Sequence, residues 1–141
     1  MKAKKTKPKT EPKDIVKMWI SVSKFTFQIN SGQIDRPQTD LQDHEVARMV
    51  LEGKAGGDAP KNAVCYIHFY PNGSALLKAE YSKELNRIIM RMNWSQVSTV
   101  LDALTHAKDP TAYYRLTDGQ PHGDVHGTYD LTAPSAGRNR A

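Results

Sequence analysis

The densest group of reactive side chains in this sequence is His122-Gly123-Asp124-Val125-His126-Gly127, followed by Thr128-Tyr129-Asp130-Leu131. His122, Asp124 and His126 are metal-donor types, and alternate residues on a strand share a face. The spacing matches no zinc signature, however, and glycine beside histidine is ordinarily a turn. Cys65 and His68 form a second pair. A cysteine attacks only as its thiolate, and Cys65 lies inside the most apolar segment of the chain, where a thiol is inert. His68, three residues on, would point to the opposite face of a strand. The stretch Gly53-Lys54-Ala55-Gly56-Gly57 lacks the Gly-Lys-Ser/Thr ending of a phosphate loop. No enzyme, cofactor or metal is expected; His122, Asp124 and His126 are kept only as weak candidates for a metal.

The sequence Gly123-Asp124-Val125-His126-Gly127 resembles the first metal motif of the metallophosphoesterases, especially the serine/threonine protein phosphatases. The resemblance covers about ten residues and implies Asp124 and His126 as ligands of catalytic metals. The later Gly-Asp, Gly-Asn-His-Glu and histidine motifs of that family do not occur here. A two-metal site draws ligands from several segments, so one aspartate and one histidine cannot hold it.

Binding chemistry has more support. Lys2, Lys4, Lys5, Lys7, Lys9 and Lys13 crowd the first 13 residues, where they could displace counterions from a phosphate backbone. Trp19, Phe25, Phe27, Tyr66, Tyr70, Tyr113 and Tyr114 all fall on expected strands, and unpaired bases stack on such residues in many single-strand binders. Both features have ordinary readings as well: a solubilising tail, and a hydrophobic core.

The 141 residues carry 20 basic and 15 acidic side chains, net +5. Residues 1–13 hold six of the basic groups and one glutamate, and Arg138 and Arg140 add two more. Residues 14–136 are left with 12 basic and 14 acidic side chains, net −2, so the excess positive charge belongs to the ends. Domains that grip nucleic acid with their own surface are usually basic throughout. Cys65 is the lone cysteine, which excludes an intrachain disulfide and suits a reducing, cytoplasmic setting. No apolar run reaches the ~18 residues of a membrane span.

Elements must position these groups. Residues 1–13 are too polar to offset the entropy of folding and read as a disordered arm; 14–131 read as a single domain, and 132–141 as a disordered tail. From Ile15 to Asn30 the apolar residues alternate as in a strand. Val16, Met18, Ile20 and Val22 hold one parity, and Phe25, Phe27 and Ile29 the other, which places a bulge near Ser23-Lys24. Thr39 or Asp40 would cap a short helix with Leu41, Val46, Met49 and Val50 as its stripe and Gly53 as its stop. Residues 53–62 read as a loop. Ala63–Tyr70 reads as a central strand, and Pro71-Asn72-Gly73 as a hairpin turn into a return strand over Ser74–Tyr81.

Residues 77–92 fit either a helical stripe or a second strand after a turn at Lys83–Asn86. Asn93-Trp94-Ser95-Gln96 reads as a capping box and favours the strand. A helix follows over Trp94–Ala107, with Val97, Val100, Leu101 and Leu104 on its buried face. Thr111–Thr117 and Val125–Leu131 would be strands flanking a Gly/Pro/His loop.

The expected architecture is an α+β domain, a mainly antiparallel sheet of about five or six strands with two helices on one face. The expected function is non-enzymatic attachment to nucleic acid through the arm lysines, with bases stacking on Phe25, Phe27, Tyr66 or Tyr70. The alternative is a protein-binding adaptor or inhibitor, such as a phage or mobile-element regulator, using a two-stranded end near Tyr113–Leu131 to extend a partner's sheet. No membrane partner is expected, and self-association is left open.

Overall fold

The computed structural model describes residues 15–30 and 45–131. The lysine arm, the start of the expected first helix and the C-terminal tail lie outside these residues. Strands dominate what is described: β1 (Val16–Ile29), β2 (Ala47–Gly57), β3 (Val64–Tyr70), β4 (Glu80–Ser82), β5 (Arg87–Asn93), β6 (Lys108–Thr117) and β7 (Gln120–Thr128). A 3-10 turn at Trp94–Gln96 leads into α1 (Val97–His106). The strands form one mixed sheet in the order β4-β5-β3-β2-β1-β6-β7, curled into a half-barrel. The expectation of five or six antiparallel strands under two helices is therefore wrong: seven strands are present, one pairing is parallel, and α1 is the one α-helix among the described residues.

The helix expected around Val46, Met49 and Val50 is instead β2. Its buried residues, Ala47, Met49 and Leu51, repeat every second position and face the core. Two apolar periodicities overlap in this short segment, and sheet pairing on both sides selects the period of two. β2 continues through the glycine-rich stretch read as a loop, because β1 supplies what the glycines lack. At Gly53 a Cβ would stand 1.8 Å from the Ser21 carbonyl oxygen, so only glycine allows β1 this close. The β1–β2 register slips between Val22 and Lys24 at this level, which is the bulge read from the parity change.

The chain turns at Pro71–Ser74, with the Ser74 amide donating to the Pro71 carbonyl (3.1 Å), but no hairpin partner follows. The chain instead leaves a gap one strand wide, which β5 fills. It runs parallel to β3 on one side and antiparallel to β4 on the other. Of the two readings of residues 77–92, the strand is the one found.

α1 packs Val97, Val100 and Ala103 inward. Asn93 is extended but caps nothing with its side chain, so the capping box does not form. The Ser95 amide donates instead to Asn72 Oδ1 (2.7 Å), which ties the turn after β3 to the start of the helix. β6 and β7 are joined at Asp118-Gly119, both with positive φ (50° and 76°), the geometry of a two-residue type I′ hairpin. The segment from His122, read as part of a loop, is thus strand.

One side of the sheet, together with α1, encloses the core: Met18, Ile20, Met49, Leu51, Cys65, Ile67, Phe69, Ile88, Met90 and Tyr114 among others. The other side is polar, and it carries the residues of interest.

Candidate nucleic-acid interface

On β1 the buried Met18 and Ile20 alternate with Lys17, Trp19 and Ser21, which the pleat sends outward. Trp19 is opposite Gly56 on β2 and Tyr113 on β6. A Cβ at Gly56 would lie 2.2 Å from the Trp19 indole Nε1, and one at Gly57 would lie 2.6 Å from its six-membered ring. The indole therefore lies along the glycine pair, covering backbone that no side chain of β2 protects, as aromatic residues do for glycines in sheets. It still exposes 36% of its surface. Tyr113 continues the row, and Asp124 on β7 ends it.

Cations line both sides of this aromatic row. One neighbouring row is Lys17, Arg115 and His122; the other is Lys54, Ser21, Thr111 and His126. No described carboxylate forms an ion pair with Lys17, Lys54 or Arg115, whereas Arg48, Arg91 and Lys24 pair with Glu45, Glu80 and Glu52. The domain's net charge conceals this arrangement, although two acids border it: Asp124 at the end of the row, and Asp58, whose Oδ2 accepts the Lys17 backbone N–H at 2.9 Å. Unpaired cations beside exposed rings suit a ligand with flat faces and anionic links.

The sequence candidates separate on this framework. His122, Asp124 and His126 do share a face, but the carboxylate lies between the imidazoles and binds both: His122 Nε2 to Oδ2 at 2.9 Å, His126 Nδ1 to Oδ1 at 2.6 Å. No group of three or more His, Cys, Asp or Glu residues among those described is placed to hold a metal ion. Phe25 and Phe27 fall beyond the bulge on the inner side, where they pack against the core. Tyr66 faces outward, with the Arg87 guanidinium 3.8 Å above its ring centroid. Tyr70 also lies on the outer side but is 94% buried by residue area, its exposure being 6%; burial pushes its hydroxyl pKa up, partly offset by nearby Arg91. The structure thus joins neither the two phenylalanines nor Tyr70 to an open stacking face.

Cys65 and His68 point to opposite faces. Cys65 is wholly buried, and burial pushes its thiol far up. His68 Nδ1 bonds the Glu45 carboxylate, which also accepts Arg48 Nη2 (2.9 Å) and Asn30 Nδ2 (3.2 Å). Burial alone would raise the Glu45 pKa, but the His68 and Arg48 bonds outweigh it and hold the carboxyl below its usual value. This cluster fixes the start of β2 and was not foreseen, nor were Lys17, Lys54 and Arg115. Alternation in Lys17-Met18-Trp19 and Tyr113-Tyr114-Arg115 was the available signal; the register that unites them was not.

Two further features belong to the β7 side. A groove of about 430 Å³ opens between α1 and β7, walled by Met92, Val100, Ala103 and Val125, and at one end Tyr129 donates to Asp102 (2.7 Å). β7 itself pairs with β6 on one edge and ends the sheet on the other. No helix among the described residues is long and apolar enough to cross a membrane. Comparison with known families, with characterised proteins and with solved structures finds no match to this chain.

Proposed function

We propose that this protein binds unpaired nucleic acid without catalysing a reaction, stacking bases on the Trp19–Tyr113 row of the outer sheet face. The observation that carries the reading is the Trp19 indole, held along Gly56–Gly57 with its outer part open to solvent. A preorganised ring loses little freedom when a base covers it, and stacking is worth about 1–3 kcal/mol per base. Lys17, Lys54 and Arg115 attract the phosphates, and the arm lysines, Lys2 to Lys13, add sequence-independent attachment. A cytoplasmic location accords with the lone, reduced cysteine.

The test is a salt-titrated binding assay with single- and double-stranded oligonucleotides. Wild type is compared with Trp19→Leu and with a variant carrying serine at the six arm lysines. The expected result is a preference for single strands that the arm variant retains and Trp19→Leu loses. Binding that vanishes with the arm lysines and ignores Trp19 would reduce the protein to a nonspecific tether.

A second reading, a protein-binding adaptor or inhibitor, is favoured by the nine-residue β7, which ends the sheet and could extend a partner's sheet. It becomes the better account if neither DNA nor RNA binds.

A further inference from the structure

We infer that the Trp19–Tyr113 row is one of two stacking stations on a single track, the other being Tyr66 with Arg87, and that the ligand is an unpaired strand long enough to reach both. The inference rests on the reading of the outer face as a nucleic-acid surface. Tyr66 is opposite Val50 on β2, and Trp19 is opposite Gly56 on the same strand. The separation from Val50 to Gly56 is about 20 Å along β2, and two strand spacings add about 10 Å across, placing the stations about 22 Å apart.

The surface between them is equipped for a polyanion. Lys54 and Lys24 lie along this path, with Glu52 beside Lys24 at 4.0 Å. At the far station the Arg87 guanidinium stacks on Tyr66, and no described carboxylate pairs with it. Its Nε is buried without a hydrogen-bond partner among the described residues. A planar cation resting on an aromatic ring occupies the place a base would take. The guanidinium can shift to cover the base from its other side or to meet a phosphate. At ~3.4 Å per phosphate in a stacked strand, the gap takes about six nucleotides, and fewer if the strand is extended. That lies within the ~4–16 nucleotides known for comparable single-strand sites. A trinucleotide reaches one station; an octanucleotide reaches both.

The experiment measures the affinity of the full chain for fluorescein-labelled dT3, dT8, U3 and U8 at fixed low salt; the dT and U arms separate deoxyribose from ribose ligands. Wild type is compared with Trp19→Leu, Tyr66→Leu, Tyr66→Phe and Arg87→Gln, each checked for a wild-type melting profile. The expected result is that octamers bind at least about tenfold tighter than trimers, because two linked contacts act together. Tyr66→Leu should lower octamer affinity about 5- to 150-fold, the range of one stacked base, and remove most of the advantage over trimers. Tyr66→Phe should keep it, and Arg87→Gln should lose part of it. Octamer binding that depends on Trp19 but ignores both Tyr66→Leu and Arg87→Gln overturns the second station and leaves the proposed function standing. Absence of octamer binding by wild type overturns both. Displacement of the octamer by polyglutamate of equal charge would show an acidic peptide to be the better occupant.

Discussion

The Trp19 indole fills the space that a side chain at position 56 would need: a Cβ on Gly56 would lie 2.2 Å from the ring nitrogen. This relation sets the first prediction. Gly56→Ala should push the indole off its bed at a cost of about 1–3 kcal/mol, the usual range for overpacking. Gly53→Ala should cost more, about 3 kcal/mol or above. Its Cβ meets the Ser21 backbone oxygen at 1.8 Å, and backbone cannot rotate away as a side chain can. Urea unfolding of the two variants checks the order; equal losses would contradict it.

Glu45 should make stability sensitive to acid. Its pKa is held below the ordinary value in the folded chain by His68 and Arg48, so the folded state favours the ionised carboxylate. The resulting stability is fully present above the unfolded value of about 4.3 and is lost as pH falls through the depressed folded value. Glu45→Gln should therefore be less stable than wild type at neutral pH by about 1–3 kcal/mol. The gap should narrow below about pH 4.3. A gap independent of pH would assign the loss to packing alone.

Cys65 should be silent toward thiol reagents in the native protein. The side chain is wholly buried, and burial drives its pKa far above the range where a thiolate forms. Ellman's reagent should label no thiol in native conditions and one per chain in denaturing urea. Rapid native labelling would mean that β3 opens readily.

Glu52 is the carboxylate paired with Lys24 on the path between the two aromatic stations. Glu52→Gln removes a like charge from the proposed path of the phosphates and frees Lys24. Octamer affinity should rise about twofold or more at low salt, and the gain should fade as salt screens it. An unchanged affinity would place the strand on a different line.

Much of the fold was legible wherever one periodicity stood alone. The parity change between Val22 and Phe25 located the bulge, the apolar run at Ala63–Tyr70 gave a strand, and Val97, Val100, Leu101 and Leu104 gave the helix. Val46, Met49 and Val50 misled because a helix stripe and the strand alternation Ala47, Met49, Leu51 share the same few residues. The glycines of β2 looked like a loop because the side chain that covers them, Trp19, lies about 37 positions away in the sequence. Of the aromatic candidates, Tyr66 was placed on the outer face, while Phe25 and Phe27 went inward. The bulge itself accounts for this placement: one extra residue returns the next parity to the core side, so Phe25 and Phe27 join Met18 and Ile20. The cationic rows depended on register, which strand composition does not specify.

The pairing of Trp19 with Tyr113 joins residues from opposite ends of the described chain, and β6 follows α1 in chain order. Such long-range closure is slow relative to local hairpins. During synthesis, a chain that has completed β1 through β5 has the indole and its glycine bed but neither Tyr113 nor Arg115. The Trp19–Tyr113 row is therefore completed by the last strands in chain order among those described.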